Sequence, residues 1–465
     1  MLENMRHYRR EAKTQTLLAL PILGGQLAQT ANGFVDTVMA GRVSAADLAA
    51  VALGASIWVP VFLLMTGILM SATPILARHL GAACYHRVNP IAQQTLWLAL
   101  LLGLLAALLL RSMAPLLDWM AVDPLLQPRV IGYLDALSWG MPGAALFLAL
   151  RSYTEAMQHT RPVLLISVAG LLINIPSNYV LIYGKLGLPA LGGVGCGWAT
   201  SLVFWAMALL MAGYVRRHPA YDKARLSGHQ RHFEWHTVMQ ILRLGLPVGL
   251  SIFFEVSIFA VIALLIASLG PVVVAGHQVA LNFTGLLFMI PLSLALAVTV
   301  RVSHARGQQQ IQQVRLATFS GLALTALIGI SSASALLLLR QHIPLLYTDN
   351  RQVQQLASEL LLFAALYQVS DAWQVTVSGA LRGFEDTRVP MLITLLAYWG
   401  IGLPVGYSLA MTSTWWPAMG PAGFWVGLLC GLSAAALMLS VRLAFRLRQL
   451  SHRSSAPVVS DDTAS

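Results

Sequence analysis

Charge is scarce in this chain. Only 10% of its 465 residues are Asp, Glu, Lys or Arg, whereas soluble domains carry about a quarter. With 57% of residues hydrophobic, the composition is that of an integral membrane protein. Cysteine is nearly absent too: Cys84, Cys196 and Cys430 stand apart without CxxC or metal-ligand spacing, so they read as small packing residues. No Walker loop, HExxH, GxSxG or nucleophile-base arrangement occurs, which leaves an ATP-driven pump or an intramembrane enzyme without its essential parts. A basic stripe or arm is also missing. The net charge of +11 is dispersed among short loops, which excludes nucleic acid as a partner.

Long apolar runs fill the chain instead. A spanning helix needs about 20 apolar residues, and twelve such segments are predicted: 14–38, 48–75, 91–110, 130–153, 163–184, 193–214, 238–266, 273–300, 316–339, 355–380, 390–411 and 421–445. The fold class is an all-α polytopic membrane protein. The first segment follows Arg6, Arg9, Arg10 and Lys13, but it is too long for a signal-peptide core and is expected to be retained. Of the 29 Lys and Arg, six (Arg42, Arg111, Arg129, Lys185, Arg340 and Arg351) fall on one side of the membrane and 23 on the other. The positive-inside bias then puts both termini in the cytoplasm.

The two halves repeat. Leu20-Pro21 recurs as Leu246-Pro247, and the same offset of 226 superposes Thr73 on Thr299 and Gly81 on Gly307. At an offset of 228, Pro162 matches Pro390, Pro176 matches Pro404, Tyr179 matches Tyr407, Gly192 matches Gly420 and Gly195 matches Gly423. Two six-helix lobes follow, 1–214 and 237–450, joined by an Arg- and His-rich loop at 215–236 and trailed by a Ser-rich segment, 451–465, read as a disordered tail. Six spans per lobe make these parallel repeats, between which transporters place their substrates. Pro21 and Pro247 sit inside the first span of each lobe, Pro176 and Pro404 inside the fifth. Each frees a carbonyl there and permits a gating bend or a static kink.

Three acids lie inside apolar spans: Asp36, Glu255 and Asp371. A midspan carboxylate costs roughly 2.5–3.5 kcal/mol on insertion scales, so each is a functional candidate, and together they suggest ion-coupled transport. Tyr367 and Asp371 are four residues apart and share a helix face. Were that face to meet Glu255, two carboxylates and a phenol would share an apolar chamber, able to hold either a proton or a cation. Gln278 and Asn282 add amides at the same spacing, as a coupling-site support or an interhelical hydrogen bond. In the first lobe, Asn174, Asn178 and Thr200 are grouped with Asp36, an oxygen-rich set suited to Na⁺ or to a proton-dependent switch. Arg151 with Glu155, and Glu385, Asp386 and Arg388, are expected to form solvated ion pairs or a gate latch.

The segments GFVDTVMAG (33–41), NIPSNYVLIYG (174–184), PALGGVGCGWAT (189–200), SIFFEVSIFAV (251–261), VAGHQVALNF (274–283), SGALRGFEDTRVP (378–390) and MGPAGFW (419–425) closely resemble the NorM-type branch of the multidrug and toxic compound extrusion (MATE) transporters. The resemblance covers about 10–448. It implies a twelve-helix, two-lobed antiporter of the bacterial inner membrane that exports cationic, often aromatic drugs or dyes in exchange for H⁺ or Na⁺, with no cofactor and no obligatory protein partner. It also implies a cation site, with Na⁺ as the possible metal, at Glu255, Tyr367 and Asp371, and a first-lobe network of Asp36, Asn174, Asn178 and Thr200. The alternative is a flippase for a lipid-linked or other amphipathic precursor, which would need a chamber rich in Arg and Lys; the midspan charges here are acidic.

Overall fold

A computed structural model describes residues 2–120, 122–224, 226, 233–412 and 417–454. Arg225 and Arg231 of the connecting loop, and the expected tail from 455 onward, lie outside the described residues. The first lobe comprises α1 (Leu2–Gly41), α2 (Ala45–Gly81), α3 (Tyr85–Arg111), α4 (Gln127–Ser138 then Met141–Ala156), α5 (Arg161–Tyr183) and α6 (Gly193–Arg217). The second comprises α7 (Trp235–Ala267), α8 (Pro271–Gly307), α9 (Ile311–Leu339), α10 (Arg351–Gly383), α11 (Arg388–Met411) and α12 (Pro421–Ser454). Among the described residues there is no strand. The last helix runs past residue 450, where the predicted lobe ends.

Ten of these helices are long and apolar enough to cross a bilayer, and the bent α4 is an eleventh. Gln26, Gln29, Asn32 and Asp36 interrupt the hydropathy of α1. It is nonetheless one unbroken helix of 40 residues, about 60 Å long at the α-helical rise and ample for a bilayer core of about 30 Å. The predicted uniform span at 130–153 is instead bent by 43° between Ser138 and Met141. Pro142 cannot donate there, and α6 satisfies the released carbonyls: Ser201 Oγ donates to Ala136 O at 2.7 Å, and Trp205 Nε1 donates to Trp139 O at 2.9 Å.

The repeat is visible at atomic detail. Thr73 Oγ1 donates to Ser152 O at 3.4 Å and binds α2 to α4; its counterpart Thr299 donates to Gly379 O at 2.7 Å and binds α8 to α10. The turn before α6 closes through Leu191 N–H donating to Leu181 O at 3.0 Å, and that before α12 through Met419 N–H donating to Leu409 O at 2.9 Å. Gly192 and Gly420 take φ of 56° and 58° in those turns, values that disfavour any side chain.

The lobes meet on the face that carries Leu2 and Ser454. There α2 and α8 cross through Gly81 and Gly307, and the contact is reciprocal: a Cβ at Gly81 would strike the carbonyl of His304, and one at Gly307 the carbonyl of Arg78. Two ion pairs flank the crossing, Arg78 with Glu385 at 2.8 Å and Arg301 with Glu11 at 2.6 Å. Gln15 Nε2 also reaches across to Ala317 O at 2.7 Å. Expected solvated pairs thus have other settings. Glu385 joins the two lobes, and Asp386 is buried between Arg442 and Arg446, at 2.7 Å from each. Arg151 and Glu155 do pair, at 2.7 Å, but inside the first lobe with 8% and 3% of their side chains exposed. Removing one member of a pair so buried leaves the other uncompensated, which costs far more than breaking a solvated bridge.

Candidate functional site

The first-lobe residues converge. Asp36 comes from α1 and is buried. Asn174 and Asn178, one turn apart on α5, both aim their amide nitrogens at Asp36 Oδ1, at 3.0 and 2.6 Å. Thr200 of α6 donates to Oδ2 at 2.8 Å. Asn178 Nδ2 also donates to Asn174 Oδ1 at 2.9 Å, which fixes the pair's orientation. Three neutral donors therefore surround one acid. The amides offer nitrogen to the carboxylate, an arrangement suited to stabilising charge on Asp36 by hydrogen bonding, and Asn178 Oδ1 is left buried without a hydrogen-bond partner.

The second-lobe acid has a different environment. Tyr367 and Asp371 share a buried face of α10, at 6% and 1% exposure, and neither oxygen of Asp371 has a hydrogen-bond partner in the structure. Glu255, half-buried on α7, is within electrostatic reach of Asp371 and Tyr367. Aromatic packing fixes the phenol: Tyr367 stands edge-on to Trp425 and Phe259, with ring centroids 5.8 and 6.5 Å away. Burying a carboxyl without a donor is expensive. A proton or a bound cation removes that cost, and two acids in mutual reach strengthen the same tendency.

Three residues of this cluster escaped the sequence reading. Tyr398 lies on a π-helical stretch of α11, Leu396–Gly402, fully buried and beside Glu255 without an aligned hydrogen bond. The wider π-turn occurs just ahead of Pro404, and such turns concentrate at functional sites. Arg382, near the end of α10, is electrostatically paired with Glu255, and its Nε has no hydrogen-bond partner. Gln368, wholly buried next to Tyr367, has neither amide atom bonded. An Arg in the SGALRG segment was the available signal for the second of these; nothing in an apolar run marks a π-turn.

Gln278 and Asn282 do not take the interhelical-bond alternative. Both are exposed and take part in no hydrogen bond among the described residues, so they do not knit helices together. At this depth an exposed carboxamide is accommodated where it faces water rather than lipid. Their buried neighbour His277 does bond, accepting at Nδ1 from Trp425 Nε1 at 3.2 Å.

A MatE family model matches the chain twice, over residues 21–180 and 247–408, copies displaced as the internal repeat requires. The chain belongs to the MATE family. This is a family of transporters, which removes the membrane-enzyme reading. The multidrug resistance protein MdtK of Edwardsiella ictaluri is 46% identical over 446 residues, covering 96% of this chain and 98% of that protein. MdtK proteins of Photorhabdus laumondii and Yersinia pseudotuberculosis are 45% identical over the same lengths. Among solved structures, a MATE transporter in its bent conformation superposes with a TM-score of 0.87 at 20% identity, over 97% of this chain and 99% of that one. The eukaryotic MATE transporter AtDTX14 does so at 0.86 and 20% identity, over 96% and 99%. These neighbours share the twelve-helix, two-lobed fold of this MATE protein.

Proposed function

We propose that this transporter exports cationic, often aromatic compounds across the bacterial cytoplasmic membrane, with both termini inside, in antiport with a cation admitted to the Glu255–Tyr367–Asp371 cluster. The observation that carries the reading is the buried Asp371, without a donor and in reach of a second acid. The name of the MdtK relatives, multidrug resistance proteins, supports drugs as the cargo. Alternating access follows from competition: drug and coupling cation are drawn to the same negative charge, so binding one weakens the other. Among the described residues, Glu255 and Asp371 outnumber the half-buried Arg382 in this cluster, which favours a cationic substrate over the anionic cargo of a flippase.

The coupling ion is the proton. A carboxyl with no donor is suited to carrying its own hydrogen, whereas Na⁺ asks for a shell of oxygen ligands. In the first lobe the amides turn nitrogen, not oxygen, toward Asp36, which weakens the Na⁺ reading there too. Dye transport in inverted vesicles tests this with the two gradients imposed separately. It should persist in Na⁺-free buffer and stop when a protonophore collapses ΔpH. A requirement for added Na⁺, with transport surviving the protonophore while the Na⁺ gradient is held, overturns the proton assignment.

A further inference from the structure

On the face that bears the termini, a polar cleft of about 460 Å³ opens between the lobes, within the size range of small-molecule sites. His7, Arg10 and Thr14 line it from α1, Arg301 and His304 from α8, and Gln313 and Leu316 from α9. Glu11, also in the wall, is consumed: it accepts from Arg301 Nε and Nη2 at 2.8 and 2.6 Å. The third Arg301 nitrogen, Nη1, donates to Gln158 at 3.3 Å. Arg10 has no side-chain hydrogen bond among the described residues, so a free guanidinium fork faces a cleft of imidazoles and amides. A field of that sign repels a cationic drug and does not belong to the export path. Guanidinium forks match phosphate oxygens in geometry and charge.

The lining stripes continue into apolar surface. One turn beyond Thr14, Leu17 is 56% exposed, and one turn beyond Leu316, Phe319 is 47% exposed. A basic pocket whose walls run on into lipid-facing side chains sits at the depth of a headgroup, with room for acyl chains above it. We infer that this cleft binds the phosphate of an anionic phospholipid, held by Arg10 from the first lobe and by His304 and Gln313 from the second. The ligand thereby bridges the lobes beside the Arg301–Glu11 pair and favours the state in which this face is closed. The inference is independent of the coupling ion.

The test compares the melting temperature and native mass spectrum of the purified transporter with phosphatidylglycerol, with phosphatidylcholine and with inorganic phosphate alone. Phosphatidylglycerol should stabilise it and remain bound. His7→Gln with Arg10→Gln should weaken that binding about tenfold, the effect of losing charge-assisted hydrogen bonds. Arg6→Gln with Arg9→Gln, basic residues of the same helix outside the cleft lining, should leave it unchanged. Equal loss in both pairs means diffuse surface charge and overturns the site. Leu17→Gln with Phe319→Gln should weaken the lipid and not inorganic phosphate. If inorganic phosphate alone stabilises as strongly as phosphatidylglycerol, the lipid is the wrong occupant.

Discussion

The two lobes share a backbone and divide the chemistry. At the offset of 226, Asp36 of the first lobe corresponds to Ile262 of the second, and at 228 Asn174, Asn178 and Thr200 correspond to Gly402, Gly406 and Leu428. The whole donor network is therefore erased in the copy. The glycines that replace the amides let α11 press on α12, where a Cβ at Gly402 would lie 3.3 Å from Gly427 O and one at Gly406 3.3 Å from Phe424 Cα. In the other direction, Glu255 corresponds to Gln29. Duplication supplied the helices, and each copy then kept a separate acid: one satisfied by three neutral donors, the other left with none. Three donors lower the cost of carrying charge on Asp36, whereas no donor lowers it on Asp371. The pair can thus respond to the same gradient at different points of the cycle.

The sharpest way to break this comparison is to neutralise the second-lobe acids. Glu255→Gln and Asp371→Asn keep shape and remove titration, so each should reduce export of a cationic dye to background with the protein still present in the membrane. The double variant should be no worse than the more damaging single one, because residues acting as one unit are not additive. Independent partial losses that multiply in the double variant would mean that the two acids serve separate sites, and the contrast between the lobes would lose its meaning.

The next test concerns the place where the lobes remain alike. Gly81→Val and Gly307→Val each drive a branched side chain into the opposite lobe's backbone, a contact that no rotamer relieves. Either should hold the described closed face apart and nearly abolish transport. In a background lacking Cys84, Cys196 and Cys430, a reporter at Ser71→Cys, a position 3% exposed and bonded across the lobes to Ile241 O at 3.1 Å, should then label with a water-soluble thiol reagent. Transport at wild-type rate with the reporter still shielded would show that the glycine crossing is incidental packing.

These features were not equally legible. Span number, lobe division and the repeat all follow from hydropathy and from matched Pro and Gly positions, since a bilayer makes apolar length and backbone punctuation decisive. The Asp36 network was readable because its donors are the few polar residues in their spans and two of them are one turn apart. The partners of Glu385 and Asp386 were not: local spacing suggests Arg388, but the structure supplies Arg78, Arg442 and Arg446. Such pairings depend on how the lobes dock. For Gln278 and Asn282, i,i+4 spacing fixes a shared face without saying what that face meets, so coupling-site support and an interhelical bond were not distinguishable from the sequence. Tyr398 was invisible, as its direction is set by a π-turn that periodicity cannot signal.

The smallest expected effect sharpens the first-lobe side. Asp36→Asn can still accept from Asn174 and Asn178 with its amide oxygen, while its new NH₂ meets the Thr200 hydroxyl as an acceptor, so the network and the melting temperature should hold although the charge is gone. Thr200→Val does the reverse, keeping the charge and removing one donor of three. If charge on Asp36 takes part in the cycle, Asp36→Asn should cut dye export strongly. Thr200→Val should cut it less, by roughly tenfold, since one hydrogen bond to a charged group is worth roughly 1.5–3 kcal/mol and two donors remain to compensate. If the network is structural glue, the order inverts: Asp36→Asn exports normally, and whatever Thr200→Val loses in export is matched by a fall in melting temperature. Measuring both quantities on both variants separates the two outcomes, because only a charge-dependent role lowers transport while leaving stability untouched.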